Sequence, residues 1–446
     1  MEMNRRLMNK RDSVAEHLGA YVTPLPEQPA DVTVPDALAQ ALASAHIVGL
    51  GEATHGTAEF TRLRHAVLQH LVTERGCRLL GLEANYTAAL ALDAYVTDDE
   101  GDPETALDQL NSWVWQTEEL RDLLTWLREF NGGRPVDDRV RIRGFDAQYV
   151  EGPARAIQDF LVEVDPGFLE QVADNLAILA DETVRGDRHN VAEEHVELAE
   201  ETVSTLADRF ASQADTYAAR GSQASVDRAR WHLRTMEGAV TFASESYSMD
   251  APQGAVNRRD EWMAENVARL VANTEGPVVL WGHNGHLVPM TSVVDDASFT
   301  PLGRHLAERF GDDYRVVMTD FNRGSFTAIP DPLEVEDPQP TTFMVDSFHE
   351  DSPYADEAWV PERTVNGVLA DHEAEACYLD VTGAAADSDL DEWLDQHHPV
   401  RDIGTAFWDE SAHLTGYRLP EEVVGLLFVT ESTPTTVLNR GDGNAG

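Results

Sequence analysis

Six side chains able to carry protons fall in four short blocks of the chain. Glu52 and His55 stand three residues apart in GEATHG. Glu83 closes the apolar run LLGLE, and Asp146 closes RIRGFD. His283 and His286 bracket Asn-Gly in WGHNGH. Carboxylates and imidazoles together supply general acids and bases near neutral pH. An imidazole steadied by a carboxylate can take a proton from water, and Glu52 is well placed to steady His55. Each residue also has a plainer use. His55 could shape a glycine-flanked turn, and Glu83 could pair with a buried arginine. Asp146 could cap the segment after it, and His283 is the first choice for a core histidine satisfied by backbone. The same six side chains have the donor atoms for Zn²⁺ or Mn²⁺, so a metallohydrolase stays open as an alternative. His283 and His286 follow a strand, so they do not form a zinc-protease helix.

Positive partners must come from arginine, because Lys10 is the only lysine. Arg64 and Arg259 are candidates to anchor a substrate or stabilise an oxyanion. Arg62 and Arg258 read as surface ion pairs. Trp115 is a candidate wall for a cleft, although tryptophans more often belong to cores. Phosphate chemistry is poorly supported. Thr54 stands where a dinucleotide fingerprint needs its third glycine, and Glu52 lies where a pyrophosphate would sit. A P-loop or Schiff-base lysine has no candidate outside the polar N-terminal segment. No G-x-S-x-G occurs, and Cys77 and Cys377 form no CxxC pair.

The blocks need elements to position them. AHIVGLG (45–51), CRLLGLEAN (77–85), RVRIRGFDA (139–147), GPVVLWGHNGH (276–286) and DYRVVMTDF (313–321) read as strands. ACYLDVT and VVGLLFVTES read as two more. Helical patterns lie between them: 57–75, the Ala/Leu-rich stretch after Asn85, and a single long stretch over 104–130. The expected class is α/β, a three-layer core with a mainly parallel sheet plus a large helical insertion. Residues 1–152 and 256–446 form the core in this reading, and 153–255 form a helical insertion over the cleft. Residues 1–30 read as a helical start and a Pro-rich link. In open α/β sheets ligands bind beyond the carboxyl ends of the strands. Four strands would therefore deliver the six side chains to one rim.

Composition narrows the partners. The chain has 446 residues, with 80 acidic and 33 basic side chains, for a net charge of −47. Such a surface repels nucleic acid and anionic lipid. The acid is dispersed and lysine is almost absent, which points to adaptation to concentrated salt. No run of apolar residues is long enough for a membrane span, and the N-terminal residues lack the apolar segment of a secretory signal. A cytoplasmic location is the expectation.

Taken together the blocks resemble the erythromycin esterase family. They are GEATHGTAEF (51–60), LGLEANYTAALALDAYV (80–96), the Trp-rich stretch 113–131, RGFDAQ (143–148), RDEWMAENV (259–267) and WGHNGHL (281–287), with R-D-I-G-T-A-F (401–407) less distinctive. The resemblance implies an α/β core with a deep cleft. It implies water activation by Glu52 and His55, a buried Glu83, arginines at Arg64 and Arg259, and two histidines at His283 and His286. It also implies lactone opening without a metal or other cofactor. The acidic region 331–400 reads as specific to this chain. The expected function is hydrolysis of an ester or lactone in a small organic molecule. A domain that binds such a molecule without turning it over is the other alternative.

Overall fold

The apolar run around Ile47 forms the middle of a sheet, and the other strands assemble on either side of it. A computed structural model of the chain describes residues 14–26, 33–98, 101–186, 191–247, 252–290, 299–335, 338–347, 364–372 and 374–438. Lys10 and most of the expected N-terminal helix lie outside the described residues.

The strands are β1 (Val22–Leu25), β2 (Ile47–Glu52), β3 (Leu79–Asn85), β4 (Arg141–Asp146), β5 (Val278–His283), β6 (Tyr314–Ala328), β7 (Thr341–Val345), β8 (Ala376–Asp380), β9 (His398–Arg401), β10 (Leu414–Tyr417) and β11 (Gly425–Ser432). Among the described residues the main sheet runs β1-β8-β11-β6-β2-β5-β3-β4, with β7 paired to β6. The strands from β11 to β4 are parallel, and β1, β8 and β7 join antiparallel. The expected mainly parallel sheet is therefore present. β1, β7, β9 and β10 carry no sequence pattern of their own; they are short strands whose burial is decided by tertiary partners.

Side chains alternate across the sheet, as the strand repeat requires. Val48, Leu50, Leu80, Leu82, Val279 and Trp281 belong to one core, with residues of helices Ala58–Glu74, Tyr86–Thr97 and Glu118–Asn131. Ile47, Leu79, Val278 and Leu280 belong to a second core, with residues of helices Pro252–Ala272 and Leu302–Phe310. Both faces are covered, so β2 and β5 are buried along their whole length. Four helices between β4 and β5 (Glu151–Val164, Pro166–Leu179, Glu193–Arg220 and Gln223–Tyr247) enclose a third core of their own. They are the helical insertion. Among the described residues no helix is long and apolar enough to cross a membrane.

The stretch 104–130 is two helices, Pro103–Asp108 and Glu118–Asn131. Asn111 takes a left-handed backbone, φ 53°, and the Thr117 hydroxyl accepts the Leu120 N–H at 3.3 Å to cap a fresh helix. A side-chain cap outcompetes the helical periodicity that runs through the turn. Trp115 is buried in the first core.

The loop after β2 is fixed from three sides. The Ala53 N–H donates to the Thr319 hydroxyl at 3.0 Å. The Gly56 carbonyl accepts the N–H groups of Thr327 at 2.9 Å and Thr435 at 2.8 Å. The Ile403 N–H donates to the Ala53 carbonyl at 2.6 Å. The close approach demands glycine at 56, since a Cβ there would lie 1.8 Å from the Thr327 carbonyl oxygen. Gly56→Ala is expected to destabilise the fold by about 3 kcal/mol, the upper end of ordinary overpacking. A thermal unfolding midpoint equal to that of the parent would contradict this account of the loop.

Candidate active site

Parallel strands β2, β5, β3 and β4 end side by side, so their last residues converge. Glu52 is the final residue of β2, His283 of β5 and Asp146 of β4, while Glu83 stands two residues before the end of β3. His55 follows β2 in the fixed loop. His286 sits in the short helix Asn284–Leu287 that continues β5. The helix Pro252–Ala272 adds Arg259 and Asp260 from the sheet's second face.

The first group is a relay of three. Arg64, on the helix after the loop, donates Nη2 to Glu52 Oε2. Glu52 Oε1 lies 2.9 Å from His55 Nδ1. Burial alone would raise the Glu52 carboxyl, but the Arg64 guanidinium and the His55 ring outweigh it and hold it below its ordinary value. A carboxylate there accepts Nδ1–H, which leaves the Nε2 lone pair of His55 facing away from Glu52. No described residue bonds that nitrogen, and the His55 side chain is 11% exposed.

Arg64 is turned inward. It donates Nε to the Phe60 carbonyl at 3.3 Å and Nη1 to the Leu50 carbonyl at 3.4 Å. Its guanidinium lies 4.0 Å above the Trp281 ring. Burial lowers it to about 10, which still leaves it charged at neutral pH. A substrate contact was expected of Arg64; the structure places it behind Glu52, where it fixes that carboxylate.

The second group surrounds Arg259. Its Nε and Nη2 grip both oxygens of Asp146 at 3.0 and 2.7 Å, and Nη2 also reaches Glu83 Oε1 at 3.2 Å. Burial would lower Arg259, but Asp146 and Glu83 reverse it and raise it above its ordinary value. Glu83 Oε2 accepts the backbone N–H of His283 at 2.8 Å. Burial pushes the Glu83 carboxyl up; the charges of His286 and Arg259 pull it down to about 2. Asp146, expected to touch substrate, instead spends both oxygens on Arg259, and Oδ1 accepts the Ala147 N–H at 2.7 Å.

His286 is held between carboxylates. Its Nδ1 lies 2.8 Å from Asp260 Oδ1 and its Nε2 3.4 Å from Glu83 Oε1. Burial lowers it, but Asp260 and Glu83 overcome that and raise it to about 9. Arg259 Nη1 stands 3.1 Å from the same Nε2. That contact suits neutral His286, whereas the raised value describes the protonated ring. The carboxylates decide the resting state: Glu83, Asp146 and Asp260 face a single guanidinium, so His286 holds its proton at neutral pH.

His283 is engaged on both sides. Nε2 lies 3.1 Å from the Ile403 carbonyl, and Nδ1 accepts the Gly285 N–H at 3.2 Å and lies 3.3 Å from Asp402 Oδ1. Burial lowers it below its ordinary value, with Asp402 only partly offsetting that. Its ring stands 5.1 Å from that of His55. The geometry suits a residue that positions others, the plainer use that its sequence also allowed. Asn284 clamps β5 to β6 through Nδ2 to the Thr319 carbonyl at 2.9 Å.

Two residues of the cluster were given no role from sequence. Asp260 lies next to Arg259 in RDEWMAENV, and Asp402 opens the D-I-G of RDIGTAF. Asp402 accepts the hydroxyls of Thr415 and Tyr417, both at 3.0 Å. Their signal was membership in those blocks. In a chain with 80 acidic residues a lone aspartate has no contrast. Among the described residues, no three His, Cys, Asp or Glu side chains are grouped so as to hold a metal ion. Arg62 and Arg258 make partly exposed ion pairs, with Glu119 at 3.3 Å and with Glu245 at 3.4 Å.

The family model described as erythromycin esterase matches residues 72–432, and the chain belongs to that family. The match takes in Glu83, Asp146, Arg259, His283, His286 and Asp402, and begins after Arg64. The chain is 25% identical over 407 residues to erythromycin esterase type I of Escherichia coli, covering 84% of this chain and 94% of the other. It is 22% identical over 341 residues to erythromycin esterase type II of Escherichia coli, covering 71% and 77%. Two crystal structures share the fold. A Bacillus cereus protein superposes with a TM-score of 0.74 at 24% identity, covering 96% of this chain and 99% of its own. A mutant of the erythromycin esterase EreC in its open conformation gives 0.70 at 20%, covering 94% and 99%.

Replacing Asp260 by Asn removes the anion at Nδ1 of His286. The ring's titration is then expected to move down from about 9 toward the ordinary histidine value. NMR titration of the ring reads this directly. A histidine raised on folding stabilises the fold fully below its unfolded value and loses that contribution as pH rises through about 9. The parent should therefore lose thermal stability between about pH 6.5 and 9, and Asp260→Asn should lose less over the same window.

Proposed function

We propose that this member of the erythromycin esterase family is a hydrolase that opens an ester or lactone bond in a small organic molecule, using water activated by Glu52 and His55. One observation carries the reading. His55 Nδ1 is tied to a carboxylate that Arg64 holds ionised, while Nε2 has no protein partner among the described residues. That is the arrangement of a general base.

His55 Nε2 takes a proton from water, and the resulting hydroxide attacks the acyl carbon. Negative charge then grows on the carbonyl oxygen. The positive pole available to it is Arg259 with protonated His286. As the tetrahedral intermediate collapses, His286 Nε2 gives its proton to the departing alcohol oxygen. The emptied lone pair then lies 3.1 Å from Arg259 Nη1, which can donate to it. Glu52 and Asp260 keep the Nδ1 proton of each ring in place. No covalent intermediate forms, consistent with the lack of a serine motif.

In this reading the site works without a metal. The carboxylates of Glu52, Glu83 and Asp146 already face guanidinium groups, which would repel a cation. The substrate class is proposed from relatives named erythromycin esterases; a macrolide lactone is the family-level candidate. A net charge of −47 with a single lysine supports a protein that operates in concentrated salt. A cytoplasmic, small-molecule role without nucleic-acid or membrane partners fits the same charge.

The test is a screen of esters and lactones in molar KCl. His55→Asn should lower turnover by about a hundredfold to ten-thousandfold while the melting temperature is kept. Undiminished turnover would overturn the role of His55. Turnover that stops on chelation and returns with stoichiometric Zn²⁺ or Mn²⁺ would favour a metallohydrolase. Ligand-induced stabilisation with no product would favour a binding protein. Turnover of the parent should also fall as pH rises through about 9, where His286 loses the proton it donates. That limb should shift to lower pH in Asp260→Asn.

A further inference from the structure

β4 is the edge strand of the sheet, on the side away from β1. Beside it stand the helix Gln223–Tyr247 and the C-terminal end of Pro252–Ala272. A groove of about 1340 Å³ lies between these elements. None of the residues of the hydrolytic cluster lines it. Eight arginines do, against four acidic side chains. The chain as a whole has 33 basic residues to 80 acidic ones, so the groove reverses the ratio of the rest of the molecule. A recess of about 280 Å³ beside it shares Tyr86, Arg139, Arg141, Arg143 and Arg228.

The arginines divide by their partners: Arg78, Arg230 and Arg234 pair with Asp138, Asp227 and Glu265 at 2.8, 3.9 and 2.7 Å. Arg141 and Arg143 share Asp93, at 2.5 and 2.7 Å. Arg139 donates Nε to the Arg134 carbonyl at 3.0 Å and Nη1 to the Thr97 carbonyl, and meets no carboxylate among the described residues. Arg228 and Arg269 are exposed, and neither makes a hydrogen bond or ion pair among the described residues. In so acidic a chain, arginines serving only to balance surface charge would find carboxylates. Arg141, Arg143 and Arg228 line the groove together with Tyr86, whose hydroxyl feels their charges and, against them, that of Asp93. The Tyr86 ring stacks on Trp231, centroids 4.9 Å apart and 12° from parallel, which gives the groove a rigid aromatic wall.

We propose that this groove binds a compact polyanion of the phosphate class, at a site separate from the hydrolytic cluster. Unspent guanidinium donors in a fixed fork suit phosphate oxygens, which they can grip in pairs. A single carboxylate would satisfy only one of them. A long polyanion would have to run out over the acidic surface and be repelled there. A compact one keeps its charge inside the groove. The helix Pro252–Ala272 joins the two regions, since it carries Arg259 in the cluster and Arg269 in the groove, about 15 Å apart along its axis.

The experiment is calorimetric titration with sodium tripolyphosphate at constant ionic strength, on the parent, on Arg228→Gln/Arg269→Gln, and on His55→Asn. Because Arg228 and Arg269 are exposed and unbonded, the double variant should keep the parent's melting temperature and its turnover. One-to-one binding is expected to the parent and to His55→Asn, and binding about tenfold or more weaker to the double variant. Equal affinity of the double variant would overturn the site. So would a signal that KCl of matched ionic strength reproduces. Loss of binding in His55→Asn would move the anion to the hydrolytic cluster, and tighter binding of a thirty-nucleotide single strand would make the ligand an extended polymer; either overturns the proposal.

Discussion

A carboxylate carried from water into a protein interior loses several kcal/mol of hydration, and only a well-placed cation with full hydrogen bonding returns it. This chain buries Glu52, Glu83, Asp146 and Asp260 at the end of one sheet. It does so under a net charge of −47 that favours no added anion. Two guanidinium groups make the burial possible. Arg64 answers Glu52, and Arg259 answers Asp146 and Glu83 together. The position of each is set by a separate helix packed on an opposite face of the sheet. The cluster therefore exists only when both faces of the three-layer core are assembled.

The neutralisation is incomplete, so a protonated imidazole is held among the carboxylates. Five carboxylates, counting Asp402, meet two guanidinium groups. A proton on His286, held to about 9, supplies part of the missing positive charge. His283 has no such surplus, because its ring is lodged between backbone groups and Asp402 alone does not overcome its burial. Two histidines three residues apart thus take opposite protonation states, for reasons found in their neighbours and not in their own loop.

That difference explains what sequence could and could not show. The strands with continuous apolar runs, β2, β3 and β5, were legible because both faces of a parallel strand are buried and every position must be apolar. The convergence of Glu52, Glu83, Asp146 and His283 followed from strand ends in a parallel sheet. The direction of each side chain did not. Arg64 is one helical turn from Phe60, and nothing local says that it bends back over Trp281 toward Glu52 and away from the cleft. Asp402 comes from a two-stranded hairpin, β9 and β10, whose residues carry no strong alternation. Its partner His283 lies 119 positions away, and only the folded chain pairs them. The break in 104–130 was hidden for a related reason. The helical period continues through Asn111, and the Thr117 cap decides the outcome locally.

The near absence of lysine also bears on the chemistry. Arg64 makes two carbonyl contacts, one carboxylate contact and one stack on an indole ring at once. Arg259 grips two carboxylates and faces an imidazole. An ammonium offers three donors around a point, and it sheds its proton more readily when buried. It could meet one of these carboxylates but could not span them in a plane, and in such burial its charge would be the first to fail. A composition almost without lysine therefore suits this interior, because the cation it retains is the one able to hold several buried anions in fixed directions. In the groove beside β4, Arg228 and Arg269 present the same planar donors with no hydrogen bond or ion pair among the described residues.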